Sequence, residues 1–129
     1  MSGTVGPPKR APRKQVRCLF SLWLPDGNSS GTGRPIKLVG FTRDMSETGL
    51  ALIVPSLNLG HAKLPEANRP LRVALSFATK TVEMTTAFTR YKRLEARGAE
   101  SGYLLGVRII EMSAEDLALY QKVLRGQEI

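Results

Sequence analysis

Leu71-Arg-Val-Ala-Leu-Ser-Phe77, a break at Ala78-Thr-Lys-Thr81, and Val82-Glu-Met-Thr-Thr-Ala-Phe88 form the stretch on which the fold turns. Leu71, Val73, Leu75 and Phe77 occupy every second position against Arg72, Ala74, Ser76 and Ala78, and Val82, Met84, Thr86 and Phe88 resume the period after the break. A period of two marks a strand with one buried face, because successive side chains leave the pleat on opposite sides. The two runs therefore read as a hairpin turning at 78–81.

The same reading extends to both ends of the chain. Tyr103–Ile110 sets Leu105, Val107 and Ile109 on one side, and Leu50–Val54 is a short continuous apolar run suited to a fully buried strand, closed by Pro55. Val16–Leu24 aligns Cys18, Phe20, Leu22 and Leu24 and stops at Pro25-Asp-Gly. After the Gly/Ser/Asn-rich segment Asp26–Arg34, Ile36–Arg43 resumes, which predicts a long-looped hairpin. Phe20, Phe41, Phe77 and Phe88 all fit core positions. Pro55–Pro70, with Gly60 and Pro65, reads as a connection, and Glu95–Gly102 as a polar loop. Ser113 with Asp116 fits a capping box, and Leu117, Tyr120 and Leu124 recur at helical spacing until Gly126. Antiparallel strands in this number close up to remove exposed edges, so the expected fold is all-β: a six-stranded antiparallel barrel with one C-terminal helix.

The 129 residues suit one domain, expected over 13–126 and preceded by a flexible basic arm over 1–12, where Gly3, Gly6, Pro7, Pro8 and Pro12 cannot propagate regular structure. Apolar stretches are too short to span a bilayer, and the N-terminus lacks the apolar run of a secretory signal, so a cytoplasmic location is expected. The single cysteine, Cys18, cannot form an internal disulfide and reads as a buried small hydrophobe. Of the formal charge of +8, five units fall on Lys9, Arg10, Arg13, Lys14 and Arg17, ahead of the first acidic residue. That field suits an anionic partner and does not by itself select one.

Catalytic equipment is sparse. His61 is the only histidine and Cys18 the only cysteine, which excludes zinc sites built from several of these residues. No nucleophile signature accompanies His61, and Gly27, Gly31 and Gly33 do not fit a phosphate-binding loop. The expectation is a binding module without enzymatic activity, metal or cofactor.

Two constellations remain. Arg13-x-x-x-Arg17 immediately precedes the first strand, and Asp44-x-Ser46-x-x-Gly49 falls at the bend between the second and third. The first is weak alone, since Arg93 and Arg97 form another such pair. Their order and setting give them weight. With Leu105-Gly-Val-Arg-Ile109 in the last strand and the terminal helix, the chain from about Arg13 to Leu124 resembles the PilZ domain family, bacterial receptors for cyclic di-GMP whose fold is a six-stranded barrel. The resemblance implies that Arg13 and Arg17 bind ligand and that Asp44, Ser46 and Gly49 form the barrel side of the site. Arg10 and Lys14 are further candidates for attracting phosphate. It also implies an adaptor whose arm orders on binding and signals to a downstream protein.

The residue types suit that ligand. Guanidinium pairs bidentately with phosphate or with guanine O6 and N7. Asp44 can accept from the guanine N–H edge, Ser46 can donate or accept, and Gly49 supplies a positive φ or a close backbone approach. The competing local reading is a turn in which Asp44 and Ser46 bond only to nearby backbone. Two other functions compete: a nucleic-acid-binding barrel, for which only Trp23, Tyr91 and Tyr103 remain as stacking candidates, and a PilZ-like module that binds protein alone.

Overall fold

In the computed structural model, which describes residues 13–25, 36–60, 62–67, 69–97, 100–127 and 129, the alternating segments form strands that close on one another. The elements in chain order are β1 (Leu19–Trp23), β2 (Leu38–Met45), β3 (Gly49–Val54), β4 (Asn58–Leu59), β5 (Ala62–Lys63), α1 (Leu64–Ala67), β6 (Leu71–Ser76), β7 (Thr81–Arg97), β8 (Glu100–Met112) and α2 (Ala114–Leu124). The barrel order is β1-β2-β3-β8-β7-β6, and β1 pairs with β6 to complete the ring. Every pairing in it is antiparallel. This is the all-β, six-stranded barrel with a C-terminal helix that the alternation predicts.

Inward positions fill the interior. Phe20, Leu22 and Leu24 from the first strand region, Leu50, Leu52 and Val54 from β3, Leu71, Val73 and Leu75 from β6, Val82 and Met84 from β7, and Leu105 and Val107 from β8 form one buried cluster. Phe41 is the exception among the phenylalanines. It lies on the outer face of β2, 38% exposed, because Ile36, Leu38, Gly40 and Thr42 hold the inward phase of that segment and leave the odd positions outside.

Two segments carry more structure than their composition suggests. The polar residues 95–97 and 100–102 continue the ladder, with β7 and β8 paired as far as Arg97↔Glu100. The ribbon thus extends past Leu71↔Thr86, the last pairing that β7 makes with β6. Backbone pairing is indifferent to side-chain polarity once a strand has left the core, which is why an apolar period could not find it. The connection 55–70 contains the β4–β5 hairpin and the single turn α1, and it sends Leu59 and Leu64 into the core, both fully buried. His61, the loop over 26–35 and the arm over 1–12 lie outside the described residues.

Helix α2 begins as expected, with the Ser113 hydroxyl accepting from the Asp116 amide at 3.0 Å. The reciprocal half of the capping box is replaced by a tertiary contact: the Asp116 carboxylate accepts from the Glu83 amide of β7 at 3.1 Å. Tyr120 and Val123 then face inward and join the core.

Candidate functional site

The site begins at an irregularity in β2. Thr42 pairs with Leu52 and Asp44 with Ala51, so Arg43 is an extra residue bulged out of the ladder. Strict alternation from Thr42, which is buried and inward, would place the Asp44 carboxylate in the core. The bulge resets the phase. Met45 turns inward, fully buried, while Asp44 stays at the surface with its side chain 20% exposed.

The bend after Met45 is held by Ser46. Its hydroxyl accepts from the Thr48 and Gly49 amides at 3.2 and 3.1 Å, and its own amide donates to the Gly49 carbonyl at 2.9 Å. Ser46 is 2% exposed, and these bonds fix the bend. Gly49 is needed for a reason other than a positive φ, which it does not adopt. A Cβ at this position would lie 2.6 Å from the Val107 carbonyl oxygen of β8, so the close approach is to the neighbouring strand.

The arm reaches this bend by its own bonds. Lys14 and Met45 exchange amide-to-carbonyl hydrogen bonds of 2.8 and 2.9 Å. Buried Thr42 accepts from the Cys18 amide at 2.9 Å and donates to the Val16 carbonyl, clasping the chain between the two motifs. Lys14, Val16 and Cys18 thus have backbone partners on β2. Charge and Gly/Pro content said nothing of the partners that Thr42 and Met45 supply.

Arg13 completes the junction. Its Nη1 donates to Asp44 Oδ1 at 2.5 Å, joining two motifs 31 residues apart. Arg17 takes another direction, with its guanidinium 4.4 Å above the centre of the exposed Phe41 ring. Lys14 lies by the C-terminal end of α2, where a Cβ at Gly126 would stand 3.3 Å from its Nζ. Arg10 is outside the described residues.

Arg13, Asp44, Ser46 and Gly49 line one groove of about 670 Å³, and Arg17 does not. The same groove is lined by Arg90 and Lys92 of β7 and Arg108 of β8, which motif reading missed. Neither motif contains them, although Arg108 sits in the Leu105–Ile109 stretch and pairs in register with Gly49.

Ionisation around the bend is shaped by burial. Burial pushes the Cys18 thiol up, against a smaller opposing effect of its Thr42 hydrogen bond, which makes it a poor nucleophile. It pushes the Tyr120 phenol up as well.

Comparison with known structures agrees with this architecture. The chain is similar to the PilZ domain of CeSA from a cellulose-synthesizing bacterium, with a TM-score of 0.58 and 17% sequence identity, covering 90% of this chain and 97% of that one. It is also similar to the inhibitor of motility MotI/DgrA of Bacillus subtilis, with a TM-score of 0.59 and 15% identity, covering 92% of this chain and 50% of that one. No curated protein sequence matches. At these identities the likeness speaks for the fold alone. Sequence speaks for the family: the PilZ domain model matches residues 10–126, a span that takes in both motifs, every strand of the barrel and the closing helix, and the chain belongs to the PilZ domain family.

Proposed function

We propose that this chain is a receptor for cyclic di-GMP that works as an adaptor, making and breaking no bonds. The observation that carries the reading is the Arg13–Asp44 contact, which draws the arm motif and the bend motif to one groove. The volume of that groove, about 670 Å³, falls in the range of small-ligand sites. The pair is partly exposed, 42% at Arg13 and 20% at Asp44, so it is cheap to open. A ligand that offers guanine O6 and N7 to the guanidinium and a guanine N–H edge to the carboxylate replaces one contact by two.

In this reading the backbone seat of residues 14–18 is already built, and the ligand tightens it by engaging Arg13 and drawing Arg17 from the Phe41 ring. The change in the surface around Phe41 is what a downstream protein detects.

Calorimetry on the purified chain tests the proposal. Cyclic di-GMP should bind saturably and cyclic di-AMP much more weakly; equal affinities would remove the guanine argument, and no binding would remove the receptor. Arg13→Ala and Arg17→Ala should each lose about 1–3 kcal/mol, the scale of a charge-assisted contact. Arg93→Ala changes the charge equally but does not line the groove, so a loss as large would reduce the effect to bulk electrostatics.

A further inference from the structure

We infer that the phosphates of the bound ligand are held on the β7–β8 side of the groove, by Arg90 and Lys92 of β7 and Arg108 of β8. The inference rests on the cyclic di-GMP reading and assigns a role to residues that neither motif contains.

Charge is the first argument. The groove is lined by four cationic side chains, Arg13, Arg90, Lys92 and Arg108, and by one carboxylate, Asp44. Asp44 is engaged by Arg13, so the positive charge left uncompensated lies on β7 and β8. Among the described residues, Arg90, Lys92 and Arg108 form no ion pair. Three like charges converging on one concave surface repel one another, and an anion relieves that repulsion.

Placement is the second argument. Arg90 pairs in register with Gly106, where a Cβ would lie 3.4 Å from Arg90 Cγ and 3.1 Å from Thr89 Oγ1. The bare glycine lets the Arg90 stem rest on β8, which keeps its guanidinium over the groove. Arg108 pairs with Gly49 and so stands beside the bend. Two guanidinium forks and one ammonium then line the β7–β8 side of the groove, a set suited to a ligand carrying two separate phosphates. The division of labour follows: Asp44 and Arg13 address a base edge, while the β7–β8 wall takes the phosphates.

The test uses Arg90→Ala, Lys92→Ala and Arg108→Ala in the full chain, with calorimetry against cyclic di-GMP at two salt concentrations. All three side chains are exposed, so melting temperatures should stay near that of the parent. Each arginine variant should weaken binding by about tenfold or more and flatten its salt dependence. Arg108→Lys should recover part of the loss, as a point charge replaces a fork. If these variants bind like the parent while Arg13→Ala does not, the wall assignment falls and the receptor reading stands. If the parent does not bind cyclic di-GMP, the receptor reading falls, and a pyrophosphate titration followed at the arginine Nε resonances decides the wall. Shifts at Arg90 and Arg108 would keep it as an oxyanion site, and unmoved resonances would overturn it.

Discussion

The Tyr120 hydroxyl of α2 donates a 2.6 Å hydrogen bond to the Ser46 carbonyl, joining the terminal helix to the motif bend across 74 residues of sequence. Both residues are almost wholly buried, so neither partner has water as a substitute. Tyr120→Phe keeps the ring and orphans the carbonyl. It should lower the unfolding free energy by about 1–3 kcal/mol, the cost of a buried polar group left unsatisfied. Urea unfolding measures this, and a variant as stable as the parent would show that the bond contributes nothing.

Gly49→Ala tests the contact between β3 and β8. The added methyl would meet the Val107 carbonyl at 2.6 Å, and both are backbone-anchored, so strands must separate to admit it. A loss of about 1–3 kcal/mol is expected. If ligand affinity fell with no change in thermal stability, Gly49 would serve the ligand rather than the barrel.

Amide hydrogen exchange separates the two layers of the arm. The Lys14 and Met45 amides should be protected in the free protein, because each donates to the other residue's carbonyl. Cyclic di-GMP should slow both further. Fast exchange at Lys14 without ligand, followed by protection on saturation, would instead restore a fold-back that depends wholly on the ligand.

Alkaline pH should destabilise the fold. Burial raises the Cys18 thiol above its ordinary 9.0 and the Tyr120 phenol above its ordinary 10.0, so the folded chain keeps protons that the unfolded chain releases. Stability is then fully present below about pH 9 and falls as pH rises above it. Thermal melts from pH 7 to 11 should be flat and then decline. The decline should be shallower in Cys18→Ala, and an equal slope would assign it to other groups.

Alternation made most of the barrel legible, because Leu71, Val73 and Leu75 or Phe20, Leu22 and Leu24 advertise an inner face directly. It failed where polarity and phase part company. Residues 95–97 continue β7 beyond its pairing with β6, and Phe41, apolar and in a strand, sits on the outer phase. For the candidate site, the motifs placed Arg13, Asp44, Ser46 and Gly49 in one groove, a proximity the structure displays. They were silent on Arg90, Lys92 and Arg108, since residues brought together by strand pairing share no local spacing. They could not foresee that Arg17 lies over Phe41, which depends on the phase of β2.

The bulge at Arg43 also defines what is portable in this site. Asp44–Gly49, moved alone onto a regular strand whose preceding residue faces outward as Arg43 does, would turn its carboxylate toward the interior, however well its six residues were preserved. The transplantable unit is 43–49, in which Arg43 contributes a half-step of backbone. Anyone grafting this bend into another barrel, or judging a divergent sequence for the same capacity, should count the parity of the strand leading into it before weighing the motif.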